Sequence, residues 1–445
     1  VYQKPQQKMK TILTTDNTYT SKIKALAAAS SLFDASIERR VVSIIGAVKE
    51  RGDDALIEYT ERFDGAKLTP ARLKITPSEL DAAKSRITPS LRDAIDVAQR
   101  NIADFARRSL RRTWSCKNKQ GAIVGERFDP FERVGIYIPA GAAPLVSTAL
   151  MTILLAREAG CREIVVCTPC GRQGAVNPHL LYAISKAGAT EIYRVGGAQA
   201  IAALSYGTQT IRCVQKIFGP GNAYVVMAKR LLFGRVAVDL LPGPSELLVL
   251  ADERAEARFI AADLLAQAEH GSGYERVWLV TPSARLIDAV KKEIGAQLPN
   301  ALRRKYMETV LDRNTWLVQT SSRKEAIEIC NRLAPEHCEI MMRSAGKIAR
   351  RVLTAGAIFI GPWSPTVLGD YIAGPSHTLP TGGAGASFSG LSAEQFQRRT
   401  STIRYSKSAL RKTVKSLRLL ADVEGLAGHK ESALIRLRKT SAGQA

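Results

Sequence analysis

From Ser21 to Phe63 apolar residues recur at helical spacing, Val41, Ile44, Ile45, Val48 and Leu56 among them, which predicts amphipathic helix with one buried face. A second such segment runs from Pro89 to Arg107. The stretch before them, to about Thr20, is polar and mixed and reads as an arm. After Arg107 the pattern turns rich in turn residues and β-formers, ending in Arg133-Val-Gly-Ile-Tyr-Ile-Pro139.

Beyond Pro139 short apolar runs alternate with helical ones. Strands are predicted at Glu163 to Cys167, Glu191 to Val195, Lys216 to Phe218, Glu246 to Ala251, Arg276 to Val280 and Ala357 to Ile360. Helices fall between them, at Thr148 to Glu158, His179 to Lys186, from Ala198, Asn222 to Phe233, Glu256 to His270 and Leu286 to Ile294. Strand-helix alternation argues for parallel sheets covered by helices, and its length suggests two sheets. The tail from Ser392 onward reads as helical and strongly basic.

The 445 residues are long for one core and suggest two lobes or more. No apolar run is long enough to cross a bilayer, and no charged-then-apolar leader opens the sequence, so a cytoplasmic enzyme is expected. Seven scattered cysteines do not form a disulfide framework. Cys167 and Cys170 make one C-x-x-C with no second pair at zinc-ribbon spacing, so a metal or redox role there is the lesser reading. The net charge of +23 could signal nucleic acid, but the basic residues are spread and no aromatic residues interleave with them as in RNA-binding patterns. A solvated basic enzyme surface is the preferred reading.

Only five histidines occur, and four lie where ligands and bases are expected. Gln267 and His270 are three apart near a helix end, so both project from one face, about 5 to 6 Å apart at Cβ, able to hold a cation or merely to cap the helix. Glu336 and His337 follow a helix ending near Leu333, on a segment read as irregular. A carboxylate beside an imidazole offers two general bases of different pKa, or a plain surface pair. Asp370 and His377 follow the strand ending at Ile360, where open α/β sheets gather ligands at strand carboxyl ends; a turn-forming Asp is the alternative. Glu424 and His429 lie far off in the basic tail. Nitrogen and oxygen donors without thiolate fit Zn²⁺ with open positions better than a closed structural zinc.

No G-x-G-x-x-G opens a helix and no Walker lysine motif occurs. Glycine turns do stand at strand-to-helix junctions, at Val195-Gly-Gly-Ala-Gln199, Phe218-Gly-Pro-Gly-Asn222 and Leu241-Pro-Gly-Pro-Ser-Glu246. Such junctions let a nucleotide or phosphate approach the backbone.

In sequence order, the motifs Arg133-Val-Gly-Ile-Tyr137, Gly196-Gly-Ala-Gln199, Gly219-Pro-Gly-Asn222, Gly243-Pro-Ser245-Glu, Gln267-Ala-Glu-His270, Ala334-Pro-Glu336-His337, Gly369-Asp370-Tyr and Glu424-Gly-Leu-x-x-His429 closely resemble the histidinol dehydrogenase family, from about Leu32 to His429. The resemblance implies an α/β fold of two Rossmann-like parallel-sheet domains with helical N- and C-terminal extensions in a domain-swapped homodimer. The division implied is an arm at 1–24, a first α/β domain from 25–136 and 247–391, an NAD-binding domain at 137–246, and a tail at 392–445 that enters the partner's active site. Gln267, His270, Asp370 and His429 would hold one Zn²⁺ per subunit. His337 would be the base for the alcohol proton and Glu336 would activate water. Substrate would touch Ser245, His377 and Glu424 as well as the zinc ligands and His337, and NAD would touch Tyr137, Gln199 and Asn222. The activity implied is oxidation of L-histidinol through histidinal to L-histidine, the last step of histidine biosynthesis.

A segment and a single position depart from the family pattern, and the basic excess is greater than the family leads one to expect. Many members carry Arg where this chain reads Thr381-Gly-Gly-Ala-Gly-Ala386-Ser, and Ser376 is Asn in others. A sister group with the same zinc core acts on other small alcohols such as sulfonated diols; Glu424 and His429 favour a substrate with an amine and an imidazole. A basic nucleic-acid-binding protein, with steeply salt-dependent binding, is the distant alternative.

Overall fold

The computed structural model describes residues 9–26, 34–139 and 144–438. The chain divides into two compact units, one of residues 1–109 with 132–395, the other of 110–131 with 396–445.

The larger unit holds two parallel sheets. One has six strands in the order Lys10–Ile12, Thr315–Gln319, Arg276–Thr281, Glu246–Ala251, His337–Met341, Ala357–Ile360, every neighbouring pair parallel. Its central run Glu-Leu-Leu-Val-Leu-Ala is apolar without alternation because both faces are covered. Leu247, Val249 and Ala251 enter one core cluster with Val277 and Leu279. Leu248 and Leu250 enter the opposite one with Trp278, Val280, Cys338 and Ile340. Trp278 and Trp316 stack across adjacent strands at 5.8 Å.

The other sheet has five parallel strands, Glu191–Tyr193, Glu163–Cys167, Arg133–Tyr137, Lys216–Phe218 and Ala237–Val238. Its first three strands build outward in one direction from Arg133–Tyr137. The chain then crosses back to add Lys216–Phe218 on the other side. The carboxyl ends of these two strands therefore flank a topological switch point, where open sheets bind ligands.

The smaller unit is an antiparallel sheet ordered Gln397–Arg404, Ile123–Pro130, Trp114–Lys117, with helices Lys407–Val423 and Ala427–Leu434.

Strands expected at Glu163–Cys167, Lys216–Phe218, Glu246–Ala251 and Ala357–Ile360 coincide with those observed. Elsewhere the structure corrects the sequence reading. The arm contains a strand, Lys10–Ile12, that pairs in register with Trp316 to Val318; three residues are too few to show an alternation. The periodicity from Ser21 to Phe63 spans three helices, Tyr19–Leu26, Ala35–Arg51 and Asp53–Asp64. Asp34 caps the second by accepting from the amides of Ser36 and Ile37, and Gln209 accepts the Asp53 amide where the third begins. The tail is not wholly helical, since Gln397–Arg404 is a strand. It pairs with Ile123–Pro130, far away in sequence, which local periodicity cannot reveal. Among the described residues no helix is long and apolar enough to cross a membrane.

Candidate active site

The helix Arg323–Leu333 ends on Ala334, held in the left-handed region at φ 45°. This is an uncommon conformation for a residue with a Cβ, costing roughly 1–2 kcal/mol. Pro335 follows and turns the chain into the strand His337–Met341. Glu336 lies on the short irregular link, as expected, but His337 does not: it is the first residue of a central strand, paired with Leu247 on one side and Ala357 on the other. Gly356 permits that pairing, because a Cβ there would lie 2.7 Å from the Glu336 carbonyl oxygen.

Both residues are buried, and one neighbour orients them. The main-chain N–H of Glu246 donates to Glu336 Oε2 at 2.7 Å. The Glu246 carbonyl lies 2.9 Å from His337 Nδ1. A carbonyl can only accept, so Nδ1 carries the proton and Nε2 keeps its lone pair. Nε2 points toward Asp370, whose Oδ1 is 4.0 Å away.

Burial moves the two groups in opposite directions. It pushes the Glu336 carboxyl well above the usual carboxylate range, helped by the nearby Glu246 and Asp370 carboxylates and opposed by the Glu246 amide. It lowers His337 to about 4, with Asp370 pulling the other way. A neutral imidazole with a free Nε2 thus stands beside a carboxyl of raised proton affinity. These are two bases of different strength.

His270 and His377 are fixed in the same tautomer. His270 Nδ1 donates to the Gln267 carbonyl at 3.0 Å, just past the helix Ala257–Ala268. His377 Nδ1 donates to the Asp370 carbonyl at 3.1 Å, and its Nε2 accepts from Thr148 Oγ1 at 3.0 Å. Burial holds His377 below the ordinary imidazole range, with Asp370 opposing and His270 contributing. Gln267 is buried, and its Nε2 has no hydrogen-bond partner.

Asp370 lies in the short helix Val367–Tyr371. The expectation that it serves a site at a strand carboxyl end is corrected. Its carboxylate approaches the first residue of the strand His337–Met341, so these groups gather at the amino ends of the six-stranded sheet. Ser245 immediately precedes the strand Glu246–Ala251. Glu424 and His429 belong to the smaller unit, where both are exposed.

The three residues expected to touch a nucleotide lie on the five-stranded sheet and on the helices that follow its strands. Tyr137 ends the strand Arg133–Tyr137, and its hydroxyl accepts the Gly197 amide at 3.1 Å. Gln199, buried in the first turn of the helix Gly197–Tyr206, has an Oε1 without a partner. Asn222 caps the helix Ala223–Leu232, its Oδ1 accepting the amides of Tyr224 and Val225. That leaves only its amide N–H groups for a ligand. Gly219 and Tyr137 mark the carboxyl ends of the two strands that flank the switch point.

Among the described residues no group of three or more His, Cys, Asp or Glu side chains is arranged to hold a metal ion. The donors expected of the larger unit are Gln267, His270 and Asp370, one amide with two such groups. Their surroundings suit a metal. His270 presents a free Nε2 while its Nδ1–H is tied to a backbone carbonyl, as in metal-binding histidines. One end of the Gln267 amide is buried without a partner, and a half-turn of the amide exchanges its oxygen and nitrogen. Cys167 and Cys170 are a different matter. Burial pushes their thiols up to about 12 and about 11, the wrong direction for thiolate chemistry.

A family model described as histidinol dehydrogenase matches residues 28–437. The chain belongs to the histidinol dehydrogenase family. It is 44% identical over 401 residues to the histidinol dehydrogenase of Geobacillus kaustophilus, covering 90% of this chain and 94% of that protein. It is 41% identical over 409 residues to that of Heliobacterium mobile, covering 92% and 96%. The crystal structure of histidinol dehydrogenase from Elizabethkingia anophelis matches with a TM-score of 0.92 at 34% identity, across 96% of this chain and 98% of that one. Membership makes this an oxidoreductase, and its two parallel sheets are those that the alternation of strands and helices predicted.

Three groups in this member of the histidinol dehydrogenase family escaped the sequence reading. Glu246 lies in the Gly243-Pro-Ser-Glu motif, and a carboxylate opening an otherwise apolar strand is a visible anomaly in the sequence. Burial raises its carboxyl to about 7 despite Arg276 at 3.5 Å. Glu339, two residues past His337 on the same strand, is pushed up to about 8 by burial, with Asp263 nearby. Thr148 carried no signal, because a threonine in an apolar helix looks like packing.

Proposed function

We propose that this chain is a zinc-dependent L-histidinol dehydrogenase that takes histidinol through histidinal to L-histidine in two NAD-dependent oxidations, the last step of histidine biosynthesis. The observation that carries the reading is the Glu336–His337 pair, two adjacent buried bases set by the main chain of Glu246.

Gln267, His270, Asp370 and His429 would hold the zinc, which would supply an anchor for the substrate, and Tyr137, Gln199 and Asn222 would contact NAD, which would supply the hydride acceptor for each oxidation. His337 Nε2 removes the proton of the alcohol, and later that of the aldehyde hydrate. Its pinned tautomer and neutral state leave the lone pair ready. Glu336 takes a proton from the water that attacks the aldehyde carbon, a task suited to a carboxylate of raised basicity. Ser245, His377 and Glu424 orient the substrate. Holding the aldehyde in place between the oxidations provides proximity and prevents its escape.

Glu424 and His429 act in the site of a second copy, in a domain-swapped homodimer. The exposed side chains of Leu419, Leu420, Val423 and Leu426 around them support this, as an apolar surface that a partner would cover. The five-stranded sheet, within residues 137–246 and the strand leading into it, forms the NAD domain. Such a biosynthetic enzyme works in the cytoplasm.

The rival substrate class is a sulfonated or simple diol. In a zinc-replete assay with NAD, histidinol is expected to turn over faster than either. The reverse order would move the chain to the sister group.

A further inference from the structure

Lys229 and Asp239 form an ion pair whose side chains are both fully buried. Neither touches a residue assigned above to the reaction. Both instead grip one residue of the turn that follows the strand Lys216–Phe218. Asp239 Oδ2 accepts the Gly219 amide at 2.7 Å, and Lys229 Nζ donates to the Gly219 carbonyl at 2.9 Å. The main-chain donor and acceptor of one glycine are thus both held by oppositely charged groups that are themselves paired. Gly219 has φ +108°, and a Cβ there would lie 2.1 Å from the Tyr137 carbonyl oxygen. The turn therefore lies hard against the end of the neighbouring strand.

A buried ion pair is a poor stabiliser. Its desolvation cost roughly cancels its attraction, and well-packed apolar residues often serve a fold as well or better. What the pair adds is geometry, because Gly219 leads through Pro220 and Gly221 directly to Asn222. We infer that Lys229 and Asp239 are positioning residues for the dinucleotide. They lock the Gly219–Asn222 turn against Tyr137, so that the switch-point crevice is formed before the cofactor arrives. The inference rests on the NAD reading above and deepens it: binding strength toward the nicotinamide dinucleotide is stored in a charge pair that never touches it. Preorganisation of this kind raises affinity by removing the ordering cost from the binding step.

The test is the double variant Lys229→Met with Asp239→Val, which removes one charge of each sign and leaves no lone buried ion beside Lys216. Zinc-replete wild type and variant are titrated with NADH by fluorescence. Melting temperature, zinc content and the KM for histidinol are measured alongside. The expected result is a folded variant with NADH affinity and KM for NAD weakened about tenfold, while zinc content and histidinol KM stay within about twofold. NADH bound as tightly by the folded double variant as by wild type would overturn the inference and leave the NAD reading standing. Wild type that binds no NADH would overturn both. If the double variant does not fold, Asp239→Asn, which keeps the volume but weakens the grip on Lys229, is expected to show the same selective loss at about threefold. Wild-type NADH affinity in that variant would refute the inference.

Discussion

The main-chain carbonyl of Glu246 receives the Nδ1–H of His337 at 2.9 Å, while the amide of the same residue donates to Glu336 at 2.7 Å. One residue at the start of a central strand thereby aims two adjacent side chains, one in the bend before the next strand and one on its first position. Strand pairing fixes it, since Leu247, the following residue, is the register partner of His337. The two bases are thus held at the amino end of the sheet, His337 within it and Glu336 in the bend that enters it.

Because the contacts are main-chain, the Glu246 side chain is expected to matter much less than the two residues it orients. Glu246→Gln keeps the volume beside Arg276 and should hold turnover within about fivefold of wild type. His337→Asn removes the base and should lower turnover by about 10²–10⁴-fold with zinc retained. Steady-state rates of the two variants, read with metal content, check this ordering.

Gln267→Ala is expected to purify folded but poor in zinc. The amide is buried with one end unpartnered, so the fold loses no hydrogen bond from that end while the metal loses a ligand. Elemental analysis after dialysis should show zinc well below one per subunit. A chelator should strip the variant at concentrations that leave wild type loaded.

How far the sequence disclosed this site depended on what each residue does locally. Apolar runs such as Glu163–Cys167 and Glu246–Ala251 gave strands at their observed limits, while Glu191–Tyr193 ends two residues short of the expected Val195, and a helix followed by Pro335 marked where Glu336 and His337 would lie. The strand beginning at His337 was hidden, since Glu-His-Cys-Glu carries two charges before any apolar run shows. The amino-end location of the site was also out of reach, because it depends on the chain returning from Ile360 to bring Asp370 back beside His337. The pairing of Gln397–Arg404 with Ile123–Pro130 joins segments that no periodicity connects. The candidate metal and base residues stand out in the sequence because histidine is scarce here, while the roles proposed for them come from the family resemblance.

Acid stability should depend on Glu191. Bidentate bonding from Arg133 at 2.8 and 3.0 Å, with a further hydrogen bond from Tyr193, holds its carboxyl down to about 2 against the effect of burial. A depressed carboxylate contributes its full stability above the ordinary value of 4.5 and loses it as the pH falls toward about 2. Glu191→Gln should therefore be less stable than wild type near neutrality, by about 1–2 kcal/mol after allowing for solvent screening. Its midpoint in urea should also fall less steeply between those pH values. Parallel curves for the two proteins would contradict the assignment.

The division of labour between His337 and Glu336 is read most directly from NADH stoichiometry. With limiting histidinol and excess NAD, wild type should form two NADH per histidinol, because both oxidations run to completion. Glu336→Gln keeps His337 and the first oxidation but lacks the base for water. It should form one NADH quickly and the second slower by about 10²–10⁴-fold, with histidinal accumulating between. Two NADH formed at the wild-type rate by this variant would contradict the role given to Glu336 and, with it, the paired-base account of the site.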